Sequence, residues 1–153
     1  MRPGVRIGVD VGKARVGVAR SDRDALLATP VATLARGADT VAELQALALE
    51  LEPVEIVVGL PISLSGRDTA STTDAREFAR ELAQAVGVPV RLVDERLSTV
   101  TAQRNLREAG RRARGSRPVI DQAAAVIILQ NALDFERSAT RPPGAPVDPH
   151  ESQ

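Results

Sequence analysis

Three acidic positions are hard to explain as ordinary surface charge. Asp10 interrupts the apolar run Val9-Asp10-Val11, and a carboxylate inside such a strand is costly unless it is paired or binds a cation. Asp94 and Glu95 directly follow the run VPVRLV at 88–93, the kind of strand end where open α/β sheets collect ligands. Asp121 stands at the start of a long Ala-rich segment, just ahead of its apolar centre. Carboxylates brought together from separate parts of a chain could hold hard cations such as Mg²⁺ or Mn²⁺. Two such ions about 4 Å apart activate water and stabilise the leaving oxygen in phosphodiester cleavage. Each acid also has a plainer reading: Asp10 as a turn cap, Asp94 or Glu95 as a partner of Arg96, Asp121 as a first-turn acid favoured by the helix dipole. Periodicity alone does not bring the three together.

Other chemistries are excluded by composition. The chain has no cysteine, so thiolate metal sites and thiol nucleophiles are absent. Its one histidine, His150, sits in a Pro-rich stretch, which argues against a His-based triad. Twenty basic residues balance twenty acidic ones, and nineteen of the twenty are arginine. GC-rich coding would also favour arginine, but the distribution is uneven. Arg104, Arg107, Arg111, Arg112, Arg114 and Arg117 face a single nearby acid, Glu108. Such a local basic patch in a neutral protein attracts phosphate backbones. The pattern Gly8-x-Asp10-x-Gly12 has two readings, a phosphate cradle or a glycine that permits a hairpin turn.

The elements that must position these residues follow from hydrophobic period. Residues 5–11, 16–20 and 26–34 read as three strands in a meander, with Pro30 marking an edge strand. Thr40-x-x-Glu43 matches a capping box and opens a helix ended by Pro53. The run 54–60 suits a buried parallel strand, followed by a turn-rich loop at 61–68. Ser71 to Thr73 offer caps for a helix to about Val86, and 88–93 forms another strand. A helix from Ser98 or Thr99 to Ala109, a basic loop, and a final helix at 119–137 complete the order. That order predicts an α/β fold with a five-stranded mixed sheet and helices on both faces. The 153 residues suit one domain, here 1–137, and the Pro-rich stretch 138–153 is expected to be disordered. No apolar run is long enough to span a membrane, and the N-terminal segment lacks a secretory signal pattern, so a cytoplasmic protein is expected.

Four motifs, in order, resemble the YqgF/RuvX family. They are Gly8-Val-Asp10-Val-Gly12-Lys-Ala-Arg15-Val-Gly17-Val-Ala19, Val58-Gly59-Leu60-Pro61, Asp94-Glu95-Arg96-Leu97-Ser98-Thr99, and Asp121-x-Ala123-Ala124-x-x-Ile127-x-Leu129-Gln130. The resemblance covers roughly residues 5–135. It implies an RNase H-like fold and a nuclease, described for the family as acting on pre-16S rRNA or as Holliday-junction-resolvase-like. It further implies that Asp10, Glu95 and Asp121 form the catalytic, metal-binding acids, with Mg²⁺ or Mn²⁺ as cofactor. Lys13, Arg15, Arg96 and the Arg104–Arg117 set would bind nucleic acid. The loop Ile62–Thr69 departs from the family's pattern.

The expected activity is therefore metal-dependent phosphodiester hydrolysis in 5′-end processing of precursor 16S rRNA, acting on rRNA or ribosomal precursor particles. The alternatives are a Holliday-junction-resolvase-like DNA endonuclease and a nucleic-acid-binding factor without catalysis. A monomer or weak homodimer is expected. The only aromatics, Phe78 and Phe135, fall at positions that read as core. Recognition through backbone and shape is expected rather than base stacking.

Overall fold

A computed structural model describes residues 1–95 and 117–149, with the backbone alone over 117–121. The predicted helix from Ser98 or Thr99 to Ala109 lies outside the described residues. So do Arg96, Arg104, Arg107, Arg111, Arg112 and Arg114.

The strands are β1 (Arg6–Val11), β2 (Arg15–Ser21), β3 (Ala28–Ala35), β4 (Glu55–Leu60), β5 (Val90–Asp94) and β6 (Ala145–Pro146). The described helices are α1 (Thr40–Leu51), α2 (Ala70–Ala85) and α3 (Arg117–Ala139). They form an α/β fold on one mixed sheet, ordered β3-β2-β1-β4-β5-β6. The first three strands are an antiparallel meander, and β1, β4 and β5 are parallel. Pro30 falls on the edge strand β3 opposite Ala19, next to a break in register after Val18. An edge tolerates a residue that cannot donate to the ladder.

Alternation divides the strands between two faces. Ile7, Val9, Val16, Val18, Ile56 and Val58 build one core. Leu44 of α1 and Phe78, Ala79 and Leu82 of α2 pack on it. The opposite face carries Ala19, Val57 and Val93, and α3 covers it with Ala125, Ile128, Leu129, Ala132 and Leu133. Two helices on one side and one on the other satisfy the expectation of helices on both faces.

Three details differ from the sequence expectation. The sheet has six strands rather than five, because β6 pairs with β5 through Arg91 and Leu92. That strand comes from the stretch beyond Ser138, which was expected to be disordered. Described residues there pack back instead: Val147 donates to the Val90 carbonyl at 2.9 Å, and Arg91 donates to the carbonyls of Pro143 and Gly144. Prolines remove donors but leave acceptors, and Arg91 uses those acceptors. The third difference concerns capping. Thr40 forms no box with Glu43; its hydroxyl accepts from Gly37 N–H and donates to the Ala35 carbonyl. The box forms at α2, where Thr69 caps and Thr72 reciprocates. No described helix is long and apolar enough to cross a membrane.

Candidate active site

The acids meet at the carboxyl ends of the parallel strands. Asp10 is the second-last residue of β1, and Glu95 follows β5 immediately. Between them in the sheet lies β4. Val9 pairs with Val58, and Gly59 pairs with Val93, so Gly59 stands on the path from one acid to the other. A side chain there would close that path. A Cβ on Gly59 would lie 2.6 Å from the Glu95 Oε1 and 2.6 Å from Ile128 Cδ1. The missing Cβ lets the Glu95 carboxylate lie over β4 towards Asp10.

Asp10, Asp94 and Glu95 line one cleft of about 160 Å³, closed on its other side by Ala124, Ile127, Ile128 and Asn131 of α3. The Glu95 carboxyl is pushed up to about 7 from 4.5, first by burial and then by the charges of Asp10 and Asp94. Two facing carboxylates with one held partly protonated are what a low-dielectric cleft imposes when like charges are brought together. Such strongly displaced acids in clefts are characteristic of functional sites.

The backbone of α3 brings the third acid to the same end of the sheet. Its Glu136 pairs with Arg6 at the start of β1. Leu129 and the Ala125 carbonyl pack on Gly8, where a Cβ would come within 2.6 Å of Leu129 Cβ. The helix therefore runs antiparallel to β1, and Asp121 occupies the position one turn before Ala125, level with the end of β1 that carries Asp10. The side chains of Asp121 and Arg117 lie outside the described residues. Among the described residues no group of three metal-binding side chains is assembled.

Gly8 is thus explained by helix packing. Gly12 is explained by the hairpin, where its N–H donates to the Arg15 carbonyl at 2.9 Å and a Cβ would approach that oxygen to 2.6 Å. Neither glycine needs a phosphate to account for it. The hairpin itself matters, because it carries exposed Lys13 and half-buried Arg15 at the end of β1 nearest Asp10. Arg36 braces it. Its guanidinium donates to the Gly12 carbonyl at 2.8 Å and to both Asp74 oxygens at 2.9 and 2.7 Å, and it lies over the Phe78 ring. This bidentate geometry ties the hairpin to α2. The sequence gives no local signal for Arg36, since the contact spans 38 residues.

The family model of the RuvX Holliday junction resolvases matches residues 4–135. The chain belongs to this family. Among its curated relatives, a protein of Clavibacter michiganensis subsp. michiganensis named "Putative pre-16S rRNA nuclease" is 61% identical over 150 residues, covering 96% of this chain and 93% of the relative. Relatives of the same name from Leifsonia xyli subsp. xyli and Streptomyces coelicolor are 57% and 53% identical, covering 97% of this chain and 97% and 90% of theirs. Among solved structures, Thermus thermophilus RuvC in complex with a Holliday junction superposes with a TM-score of 0.63 at 18% identity. That match covers 91% of this chain and 98% of RuvC, and establishes the fold that RuvX members share with RuvC.

One consequence for a RuvX cleft of this shape concerns Gly59. If Glu95 holds a divalent cation, Gly59→Ala is expected to weaken Mn²⁺ binding by about 10- to 100-fold, the range typical for disturbing the support of a metal ligand. The fold should survive with an overpacking cost of about 1–3 kcal/mol. Combining it with Ile128→Val removes the 2.6 Å approach to Cδ1, leaving Cγ1 at 3.2 Å, and leaves the carboxylate clash. Thermal unfolding should then find most of the stability recovered, while calorimetric titration finds metal affinity still low. Recovery of both would show that Ile128 alone made the glycine necessary.

Proposed function

We propose that this chain is a metal-dependent nuclease that hydrolyses phosphodiester bonds in 5′-end processing of precursor 16S rRNA. The observation that carries the reading is the pairing of Asp10 and Glu95 in one cleft at the strand ends, with Glu95 driven up by burial and like charge. The names of the curated relatives support the substrate.

The donor set fits a hard divalent cation: oxygen ligands only, two acids that repel each other, and a partly desolvated cleft. Asp10 and Glu95 would hold it, with Asp121 as the third ligand. A bound Mg²⁺ or Mn²⁺ supplies the Lewis acidity that activates water and offsets charge on the departing oxygen. The protein residues do the rest. Glu95 keeps a proton up to about pH 7 in the metal-free cleft, so cation uptake strengthens as pH rises through neutrality. Lys13 and Arg15, braced by Arg36, hold phosphates beside Asp10. Arg96 and the arginines at 104, 107, 111, 112, 114 and 117 extend that grip along the backbone, which makes binding fall steeply with salt. The reading places the protein in the cytoplasm, on precursor rRNA or ribosomal precursor particles.

The family description favours a second substrate, a four-way DNA junction. A labelled RNA carrying the precursor extension and a labelled junction separate the two. With Mn²⁺ or Mg²⁺, the RNA is expected to be cut at the mature 5′ end and the junction left largely intact; EDTA should stop cleavage. Preferential, symmetric cutting of the junction would replace the rRNA reading with the resolvase one. Salt-sensitive binding with no cleavage of either would leave a nucleic-acid-binding factor.

A further inference from the structure

A second cavity, of about 280 Å³, continues from the acidic cleft along α3. The two share Val93 and Asn131. The second lies between α3 and the returning chain at Pro143 and Gly144, and includes Ala132, Asp134, Phe135 and Ser138 in its lining. Phe78 is buried in the core as expected, at 3% exposure. Phe135 is not: it is half-buried, and its ring lines this groove.

Resting on the nuclease reading above, we infer that this groove receives a nucleobase of the strand being cut, next to the phosphate that a cation held by Asp10 and Glu95 would engage. Its continuity with the acidic cleft supplies the first argument, because a strand whose phosphate sits at the acids must place neighbouring bases along α3 or away from it. The chemistry of the lining supplies the second. The floor is apolar, from Val93 and Ala132, and Phe135 offers an aromatic wall for stacking, which is tolerant of base identity. Arg141 lies over the Phe135 ring at 5.3 Å and fixes it.

Charge supplies the third argument. Among the described residues the groove lining itself contains no lysine or arginine, Arg141 lying against the Phe135 ring from outside that lining, and it includes Asp134, paired with Arg137 and Gln130 at 3.0 and 3.1 Å. Such a lining offers a phosphate no cation of its own and presents an oxygen acceptor to the amino group of a neutral base. Asn131 stands where the two cavities join, and its amide makes no hydrogen bond among the described residues. An amide can both donate to and accept from a base edge. The backbone-only recognition expected from the scarcity of aromatics is therefore incomplete: one of the two aromatics is placed for stacking.

The test is binding with Ca²⁺ in place of Mg²⁺ or Mn²⁺, so that a cation can bridge the acids and the phosphate, with the strand checked to stay uncut. Short labelled strands long enough for one protein carry a single abasic position, walked along the sequence, and affinity is read by fluorescence anisotropy. Wild-type protein is expected to lose about tenfold in affinity at one abasic position, in the range for one stacked base. Phe135→Leu should bind the intact strand about tenfold more weakly and be indifferent to the abasic position. Phe135→Tyr should restore the wild-type pattern, and thermal melting confirms that each variant is folded. An abasic penalty that persists undiminished in Phe135→Leu, or no sensitive position at all, overturns the groove. Metal-dependent cleavage is assayed in parallel. Absence of cleavage with the Phe135-dependent penalty intact would overturn the nuclease reading and leave the groove standing; cleavage without the penalty would do the reverse.

Discussion

Asp10→Asn is expected to reduce metal-dependent cleavage by about 10³-fold or more and, in the same protein, to raise stability in the absence of metal. On the proposed nuclease reading, the loss of activity follows from removing a charge that would hold the cation and is worth several kcal/mol of transition-state stabilisation. The gain in stability follows from Glu95. Its carboxyl stands at about 7 in the fold against 4.5 in the ordinary state. A raised acid favours the fold when protonated, so its contribution is complete below about pH 4.5 and is lost as pH rises to about 7. At pH 8 the metal-free protein carries the whole penalty. The displacement corresponds to at most about 3 kcal/mol. Glu95 is only half-buried, and solvent screening brings that to about 1–2 kcal/mol. Burial is the larger cause and Asp10 the next, so Asp10→Asn recovers part of this and Glu95→Gln all of it. Urea unfolding in EDTA at pH 5 and pH 8 checks the sign. Wild-type protein should be less stable at pH 8 than at pH 5, and Glu95→Gln should flatten that difference. Mn²⁺ should raise the melting temperature of the wild type and leave Asp10→Asn nearly unmoved. A variant that loses both activity and stability would mean that Asp10 is structural.

Glu136→Ala is expected to cost about 3–5 kcal/mol, the range for removing one partner of a buried ion pair. Arg6 and Glu136 are 1% and 4% exposed, and their charged groups meet at 2.9 Å. Arg2 joins from the surface, with 2.5 Å to the other Glu136 oxygen and 3.3 Å to Glu55. The substitution strands the Arg6 guanidinium under α3, where its Nε already has no hydrogen-bond partner. The cluster pins the carboxyl-terminal half of α3 to the start of β1, at the end of the sheet opposite the acids. Because the helix is rigid, loosening it there also misplaces Asp121. Replacing both partners by apolar residues, Arg6→Met with Glu136→Leu, should restore most of the stability, since the cost comes from the unpaired charge. Chemical denaturation of the wild type and these two variants measures this. Equal destabilisation by the single and double variants would show that packing, not charge, holds α3.

The sequence by itself determined the order of β1 to β5 and of the three described helices, the mixed sheet and the helices on both faces, because period-two and period-3.6 patterns are local. It also singled out Asp10, the pair Asp94–Glu95 and Asp121, because a carboxylate in or beside an apolar segment is conspicuous one residue at a time; the choice of Glu95 within the pair came from the family resemblance. Tertiary structure alone decided what those acids do to one another. Asp10 and Glu95 lie 85 positions apart in the chain and interact because β1, β4 and β5 are laid side by side with a glycine between them. Gly59 reads locally as a weak strand position, and only the register shows that its missing Cβ leaves room for a carboxylate. Arg36 and the Arg6–Glu136 pair were invisible for the same reason: their partners are 38 and 130 residues away. The described residues beyond Ser138 differ from expectation because composition weighs their prolines and not the backbone acceptors that stretch presents to Arg91. Phe135 followed an apolar helical face that suggested core. What lay opposite that face, a groove rather than a strand, was set by where the chain returns after α3.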